Sequence, residues 1–422
     1  MISDGRDAGE AYVWVWLPGA DEPVVAGRIE AVGDLITFNY GRSYLRRDDA
    51  ISLYTPELPL RAGELQPLPG MRVAGCIADG APDAWGRRVI MHRLLGAGAE
   101  DPDELSTLTY LLTSGSDRIG ALDFQRAADV YTARETTPAP LEELVAAVGR
   151  FEAGEPFSPQ LDQALLHGSS VGGARPKALL SDGDRQLIAK FSSSTDHYPV
   201  VKGEYAAMQL ARRAGLDVAR VRFTHALGKD VLLVERFDRT PGIGARRAHV
   251  SALTMLALGE LNGRYASYAD LAQIVRERFT RPRHTLHELF ARITFNVLIG
   301  NTDDHARNHA AFWDGRMLTL TPAYDICPQA RAGGEAAQAM QIGPDGFRLS
   351  QLDGCVRAAA TYQLSEPAAR AIVDHQIDVI AGGWDAVCDE ASMTAAERQA
   401  FAGRAVFNPY AFYDYRPTAP RL

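Results

Sequence analysis

Gly300-Asn301-Thr302-Asp303-Asp304-His305-Ala306-Arg307-Asn308 follows an apolar run at helical spacing (Leu286, Leu289, Phe290, Ile293, Val297) and precedes two strand-like segments, 310–313 and 316–321. A loop in that setting has the layout phosphoryl transfer requires. A carboxylate must orient the attacking hydroxyl, and an amide on the same loop must reach Mg²⁺, with four residues between them in the kinase catalytic loop. Asp303 and Asn308 repeat that count. A second acidic ligand should follow a short hairpin, and Asp325 in Thr321-Pro322-Ala323-Tyr324-Asp325-Ile326 is placed to bind the Mg²⁺ that bridges the phosphates.

An Asp and an Asn at this spacing also arise by chance, because both are common loop residues. The weight therefore rests on what precedes them. His167 to Lys177 is rich in small residues, whose backbone N–H groups can approach phosphates closely, and Lys177 can add a point charge. Lys190 lies in the alternating strand Leu187-Ile188-Ala189-Lys190-Phe191, and Glu204 on the next helix could pair with it, as strand Lys and helix Glu do in kinases. Glu235-Arg236-Phe237 ends an apolar strand and would be the hinge whose backbone meets adenine. Together these predict an ATP- and Mg²⁺-dependent kinase. The competing chemistry is metal hydrolysis, since His305 and His309 stand four apart beside two carboxylates, but no Glu follows His305 as the zinc-protease pattern requires.

Composition sets the frame. The chain has 422 residues, 46% of them hydrophobic and 23% charged, enough for two or three packed units. No window holds ~18 uninterrupted apolar residues, so no membrane span is expected. The opening residues put acidic groups before a short apolar stretch, unlike a secretory signal. Four scattered cysteines suggest neither a disulfide framework nor a zinc knuckle, and a cytoplasmic location is expected. A net charge of −9 argues against direct nucleic-acid binding through a broad basic surface.

Strand patterns over 12–17, 24–32, 35–40 and 51–54, then helical patterns over 82–95 and 104–113, make a small α+β unit of residues 1–130. Residues 131–165 read as a linker with one bridging helix at 141–151, residues 166–240 as a β-rich nucleotide-binding lobe, and 241–422 as a mainly helical catalytic lobe. Strands followed by runs of helices indicate an α+β fold with segregated lobes.

The assembled motifs resemble the HipA family of bacterial serine/threonine kinases, toxins of type II toxin–antitoxin systems. The likeness lies in S-V-G-G-A-R-P-K (170–177), L-I-A-K-F (187–191), V-E-R-F-D-R (234–239), the 300–308 loop and L-T-P-A-Y-D-I (320–326), with F-N-Y, P-D-A-W-G-R and I-G-A-L-D-F toward the N-terminus. The resemblance implies a two-lobed kinase-like fold with a small N-terminal subdomain. It implies that Asp303 is the proton acceptor, that Asn308 and Asp325 hold Mg²⁺, and that Lys190 binds phosphate. Val171, Gly172, Gly173, Ala174, Arg175 and Lys177 would line ATP, Glu235, Arg236 and Phe237 would form the hinge, and His305 would contact phosphate. Ser170 would be an autophosphorylation site. The partners implied are a protein substrate, an aminoacyl-tRNA synthetase or another translation component, and a helix-turn-helix antitoxin of the HipB type that would carry any link to DNA. A small-molecule or lipid kinase and a non-catalytic ATP- or antitoxin-binding module are the alternatives.

Overall fold

A computed structural model describes residues 9–96, 99, 101–134, 139–153, 155, 175–193, 195–240, 244–329, 331 and 333–418. Two compact units divide the chain, one made of Met1–Ser194, His225–Val250 and Phe312–Arg316, the other of Thr195–Thr224, Ser251–Ala311 and Met317–Leu422.

The first unit opens with strands β1 (Glu10–Val15), β2 (Val24–Val32), β3 (Leu35–Tyr40), β4 (Glu64–Leu65) and β5 (Leu122–Gln125), in the order β4-β3-β2-β1-β5. Apolar residues alternate along β1, where Ala11, Val13 and Val15 are buried, as a half-buried antiparallel sheet requires. Gly27 is needed in β2, because a Cβ there would lie 2.1 Å from the Asn39 carbonyl oxygen. Ile51–Tyr54, expected as a strand, is not one. Tyr54 forms a single bridge to Leu58, while the Tyr40 hydroxyl donates to Leu58 O (2.7 Å) and accepts from Leu53 N (2.9 Å). A side chain thus takes over the bonds that a neighbouring strand would have made.

A second sheet follows: β6 (Lys177–Asp182), β7 (Arg185–Phe191), β8 (Val221–Ala226) and β9 (Lys229–Glu235), in the order β6-β7-β9-β8. Ala178, Ala189, Phe191, Val231 and Leu233 turn inward against Trp85 and Val89 of the Ala84–Leu95 helix and Leu144, Val145 and Val148 of the Leu141–Glu152 helix. The indole of Trp85 also donates to Lys177 O at 3.1 Å. The Pro82–Arg87 motif thereby belongs to the core beneath the second sheet.

The second unit is mainly helical. Its central helix, Pro282–Ile299, starts with Pro in the first turn and buries twelve residues, among them Leu286, Leu289, Phe290, Ile293 and Val297. The Glu366–Glu390 helix crosses it, where Gln376 accepts from the Thr294 hydroxyl (2.9 Å) and donates to Ala291 O (2.7 Å). Two helix starts are capped by their own side chains: Ser365 accepts from Ala368 N, and Thr394 with Glu397, at the capping-box spacing, makes a reciprocal capping box. The helix at Val200–Arg213 packs within this unit, where a Cβ at Gly383 would meet Leu210 at 3.0 Å. Strands β10 (Ala248–Ser251), β11 (Ala310–Trp313) and β12 (Leu318–Leu320) complete the structure in the order β10-β11-β12. No helix among the described residues is long and apolar enough to cross a membrane.

Trp85 has no exposed surface and loses both packing and a hydrogen bond when truncated. Trp85→Ala is expected to lower stability by roughly 3–5 kcal/mol, read as a fall in the urea midpoint of the transition that reports the first unit.

Candidate active site

The 301–308 loop is set by how its helix ends. Gly300 adopts φ +74°, and a Cβ there would sit 2.4 Å from the Ala405 carbonyl oxygen, so both conformation and space demand glycine. Asn301 N then donates to Asn296 O (2.9 Å), and Asn301 Nδ2 to Asn296 Oδ1 (3.0 Å). These bonds start the loop in a fixed direction.

Asp304 holds its middle. The buried carboxylate accepts from Asn296 Nδ2 (2.6 Å), from His309 Nε2 (3.0 Å) and from the Tyr268 hydroxyl. Burial opposes its ionisation, yet His309 and the Tyr268 hydroxyl outweigh burial and hold the carboxyl below the ordinary range. The zinc alternative loses its geometry here. His305 precedes a 3₁₀ turn, Ala306–Asn308, so no α-helical face aligns it with His309, whose Nε2 is engaged by Asp304. No cluster of three or more His, Cys, Asp and Glu placed to hold a metal occurs among the described residues.

Asp303, one position earlier, faces the other way: its side chain is exposed. Its carbonyl accepts from His305 N (2.9 Å) and Asn308 Nδ2 (3.2 Å), and Asn308 N donates to His305 O (2.8 Å). Asn308 is buried and its amide nitrogen is committed to that bond, which leaves Oδ1 as the acceptor end of its side chain. Partial burial raises the Asp303 carboxyl, His305 opposes the rise, and the negative charges of Asp325 and Asp304 add to it. The structure therefore brings Asp303 within electrostatic reach of Asp325, 22 positions away. Asp325 takes φ +60°, a left-handed backbone that side chains other than Gly, Asn and Asp rarely accept. Its surroundings impose it: Ala323 N donates to Asp217 O (2.8 Å), Tyr324 Oη to Arg307 O (2.7 Å) and Gln329 N to Gly300 O (3.0 Å).

Two carboxylates and an amide oxygen suit Mg²⁺, which takes one or two carboxylates and leaves its other positions to water and phosphate. Mutual repulsion of Asp303 and Asp325 is what such a cation would relieve. His305 Nδ1 is buried without a hydrogen-bond partner, as a group awaiting a ligand would be.

The nucleotide-side residues lie mainly in the first unit. Ser170, Val171, Gly172, Gly173 and Ala174 fall outside the described residues. Arg175 is half-buried. Lys177, expected to line the nucleotide, is buried, and its ammonium pairs at 3.1 Å with Asp83, the residue that caps the Ala84–Leu95 helix. Its charge is committed to that cap. Lys190 stands directly across β6–β7 from Lys177, on the sheet face opposite Ala189 and Phe191. Like charges in register repel, so the pair needs anions, and Asp83 supplies one. Glu204 is buried on the Val200–Arg213 helix of the second unit.

At the expected hinge, Glu235 is half-buried and 3.8 Å from Arg185, and Phe237 meets the Phe312 ring edge-on. Arg236 is a structural residue. Its N–H donates to Gln186 O (2.9 Å), and its guanidinium pairs with Asp117 (2.8 Å) and Asp238 (2.9 Å). Asp238 also accepts from Gly120 N (2.7 Å) and Arg239 (2.8 Å). Burial would raise Asp238, but Arg236 and Arg239 overcome it and hold the carboxyl far below its usual value. The sequence reading gave 235–237 a hinge role alone; the signal missed was charges of alternating sign following an apolar strand.

Residues 169–384, more than half of the chain, match the model of the HipA-like C-terminal domain, and residues 15–125 that of the HipA N-terminal domain. The chain belongs to the HipA family. Among its relatives, the Sinorhizobium fredii protein named "Putative kinase Y4mE" is 26% identical over 69% of this chain and 71% of its own length. The Shewanella oneidensis serine/threonine-protein kinase toxin HipA is 24% identical over 52% of this chain and 56% of its own. A solved complex of Shewanella oneidensis HipA, HipB and operator DNA superposes with a TM-score of 0.68, covering 93% of this chain and 96% of that one at 19% identity. That likeness establishes the fold, the α+β kinase-like fold expected from the sequence.

In this HipA-family protein the depressed Asp304 carboxyl contributes stability above its unfolded pKa, and the contribution disappears as pH falls through the lower folded value. Asp304→Asn is therefore expected to show a flatter acid limb between roughly pH 5 and pH 1 than the wild type. Urea midpoints measured across that range check it; equal slopes would remove Asp304 from this role.

Proposed function

We propose that this chain is an ATP- and Mg²⁺-dependent serine/threonine kinase of the HipA toxin type. The observation that carries the reading is the oxygen set of Asp303, Asn308 and Asp325: the charge of Asp325 acts on Asp303, which with Asn308 lies in a loop held by the buried Asp304. Asp303, exposed and with a raised pKa, would accept the proton of the attacking hydroxyl and orient it. Asn308 Oδ1 and Asp325 would hold Mg²⁺, which when bound supplies neutralisation of phosphate charge. Lys190 would contact the phosphates, with Arg175 and the 171–174 segment lining them, and His305 would add a contact through its unpartnered nitrogen. The backbone of Glu235 to Phe237 would meet adenine.

The kinase names of its relatives support this reading, and the HipA–HipB–DNA complex of the Shewanella protein supports a helix-turn-helix antitoxin of the HipB type as partner. DNA would then be reached through the antitoxin. A protein of the translation apparatus, such as an aminoacyl-tRNA synthetase, is the proposed acceptor, in the cytoplasm. Ser170 is the proposed site of self-modification. A phosphate there would place about −1.5 to −2 charges in a loop meant for the anions of ATP and switch the enzyme off.

Incubation of the purified protein with labelled ATP and cell lysate should mark a discrete protein in a Mg²⁺-dependent manner. Asp303→Asn should reduce transfer by about two to four orders of magnitude, the usual share of a general base. Because ionised Asp303 is disfavoured in the fold, the same variant should melt at or above the wild-type temperature. Undiminished transfer by Asp303→Asn would overturn the assignment.

Intact-mass and peptide spectra should find phosphate on Ser170 in protein from an active host and none in the Asp303→Asn protein. Phosphate confined to Ser169 would move the site.

A further inference from the structure

The second unit carries a cleft of about 420 Å³ that none of the roles above uses, lined by Arg331, Gly333, Gly334, Arg404, Asn408 and Tyr410, with Gly403 and Pro409 at its rim. Among the described residues, no Asp or Glu lines it. Some arginines of this chain find a carboxylate, as Arg307 finds Glu260 and Arg213 finds Glu390. Among the described residues Arg331 and Arg404 do not. Arg331 donates to Ser350 Oγ (3.1 Å) and weakly to Gly334 O (3.5 Å), while its Nε is buried without a partner. Arg404 is exposed and makes no ion pair among the described residues. Glu335, exposed, acts on the Tyr410 hydroxyl but pairs with neither arginine among the described residues. A partly desolvated guanidinium with no counter-ion is a costly arrangement that an anion would correct.

Both walls of the cleft are tied to the turn that opens the catalytic loop. On one side Gln329 N donates to Gly300 O (3.0 Å), two residues before Arg331, and Ala339 N to Thr302 O (3.1 Å). On the other, Phe407 N donates to Leu298 O (2.9 Å), and Ala405 packs on Gly300. Gly333, Gly334, Gly403, Arg404 and Pro409 are exposed, so the cleft is a trough across which a chain can lie. Bare glycine backbone permits close approach, and Arg forks match carboxylates bidentately.

We propose that this trough docks an acidic segment of the acceptor protein beside the catalytic loop, with Asp or Glu side chains seated on Arg331 and Arg404. The proposal rests on the kinase reading for its purpose, but binding can be measured without catalysis.

The test uses the full-length protein without nucleotide and two fluorescein-labelled peptides, each with one Ser, one flanked by Glu and the other by Gln. Anisotropy should show the Glu peptide binding more tightly, with the difference shrinking as salt is raised. Arg331→Gln and Arg404→Gln should each weaken the Glu peptide by about tenfold, the worth of a charge-assisted hydrogen bond, and bring it toward the Gln peptide. The Arg404 side chain makes no hydrogen bond or ion pair among the described residues, so its variant decides the matter if Arg331→Gln destabilises the fold. Equal affinity for the two peptides would overturn the proposal, as would an Arg404→Gln protein that binds the Glu peptide undiminished. Inorganic phosphate that saturates the trough while the Glu peptide fails to displace it would make this a small-anion site and likewise overturn it. Glu-peptide binding with no Mg²⁺·ATP-dependent phosphorylation of any Ser substrate would keep the docking site and remove the kinase.

Discussion

A carboxylate can leave water only when proton donors surround it, and that constraint fixes both segments that matter most in this protein. In the second unit Asp304 is buried against Asn296, His309 and Tyr268, so the 301–308 loop has one position relative to its helix. In the first, Asp238 is buried against Arg236, Arg239 and Gly120 N, which pins the end of β9 to the Ile119–Phe124 segment. Removing one partner from such a set leaves the others desolvated and unpaired, which is why these contacts locate the chain so firmly.

Asp303 and Asp304 are adjacent and have opposite fates. One is exposed, crowded by a second carboxylate and raised; the other is enclosed by donors and lowered. Two carboxyls one position apart are thus driven in opposite directions by burial, donors and a neighbouring charge. The repulsion between Asp303 and Asp325 is tolerated because the backbone leaves them no choice. Gly300 at the helix end and the bonds around Asp325 set both positions before any ligand arrives, at the expense of a left-handed conformation at Asp325.

Lys177 and Lys190 show the same division across a sheet. They stand in register, and Asp83 neutralises the buried one while also capping the helix that carries Trp85. The Pro82–Arg87 motif is thus part of the support beneath the second sheet. Sequence order alone would have assigned it to a separate N-terminal body. The same residues that close the core of the first unit also balance the charge of its second sheet.

The sequence by itself determined many of the elements and, through its motifs, the family. Period-2 patterning gave β2, β3, β6 and β7 their extents, capping residues placed the helix starts at Glu366 and Ala395, and the spacing of Asp303 and Asn308 marked the loop. Those are local signals, carried by residues a few positions apart. What the tertiary structure decided was which charges are spent. Nothing in Leu187–Phe191 or Ser170–Lys177 tells which lysine meets Asp83, 94 positions before it, and nothing in 234–239 shows that Arg236 reaches Asp117, 119 positions away. Tyr40 displacing a strand at 51–54 and the unpaired arginines at 331 and 404 are likewise invisible along the chain. Burial and pairing are properties of three-dimensional neighbours, and a charged side chain becomes a ligand or a staple according to which neighbours the fold supplies.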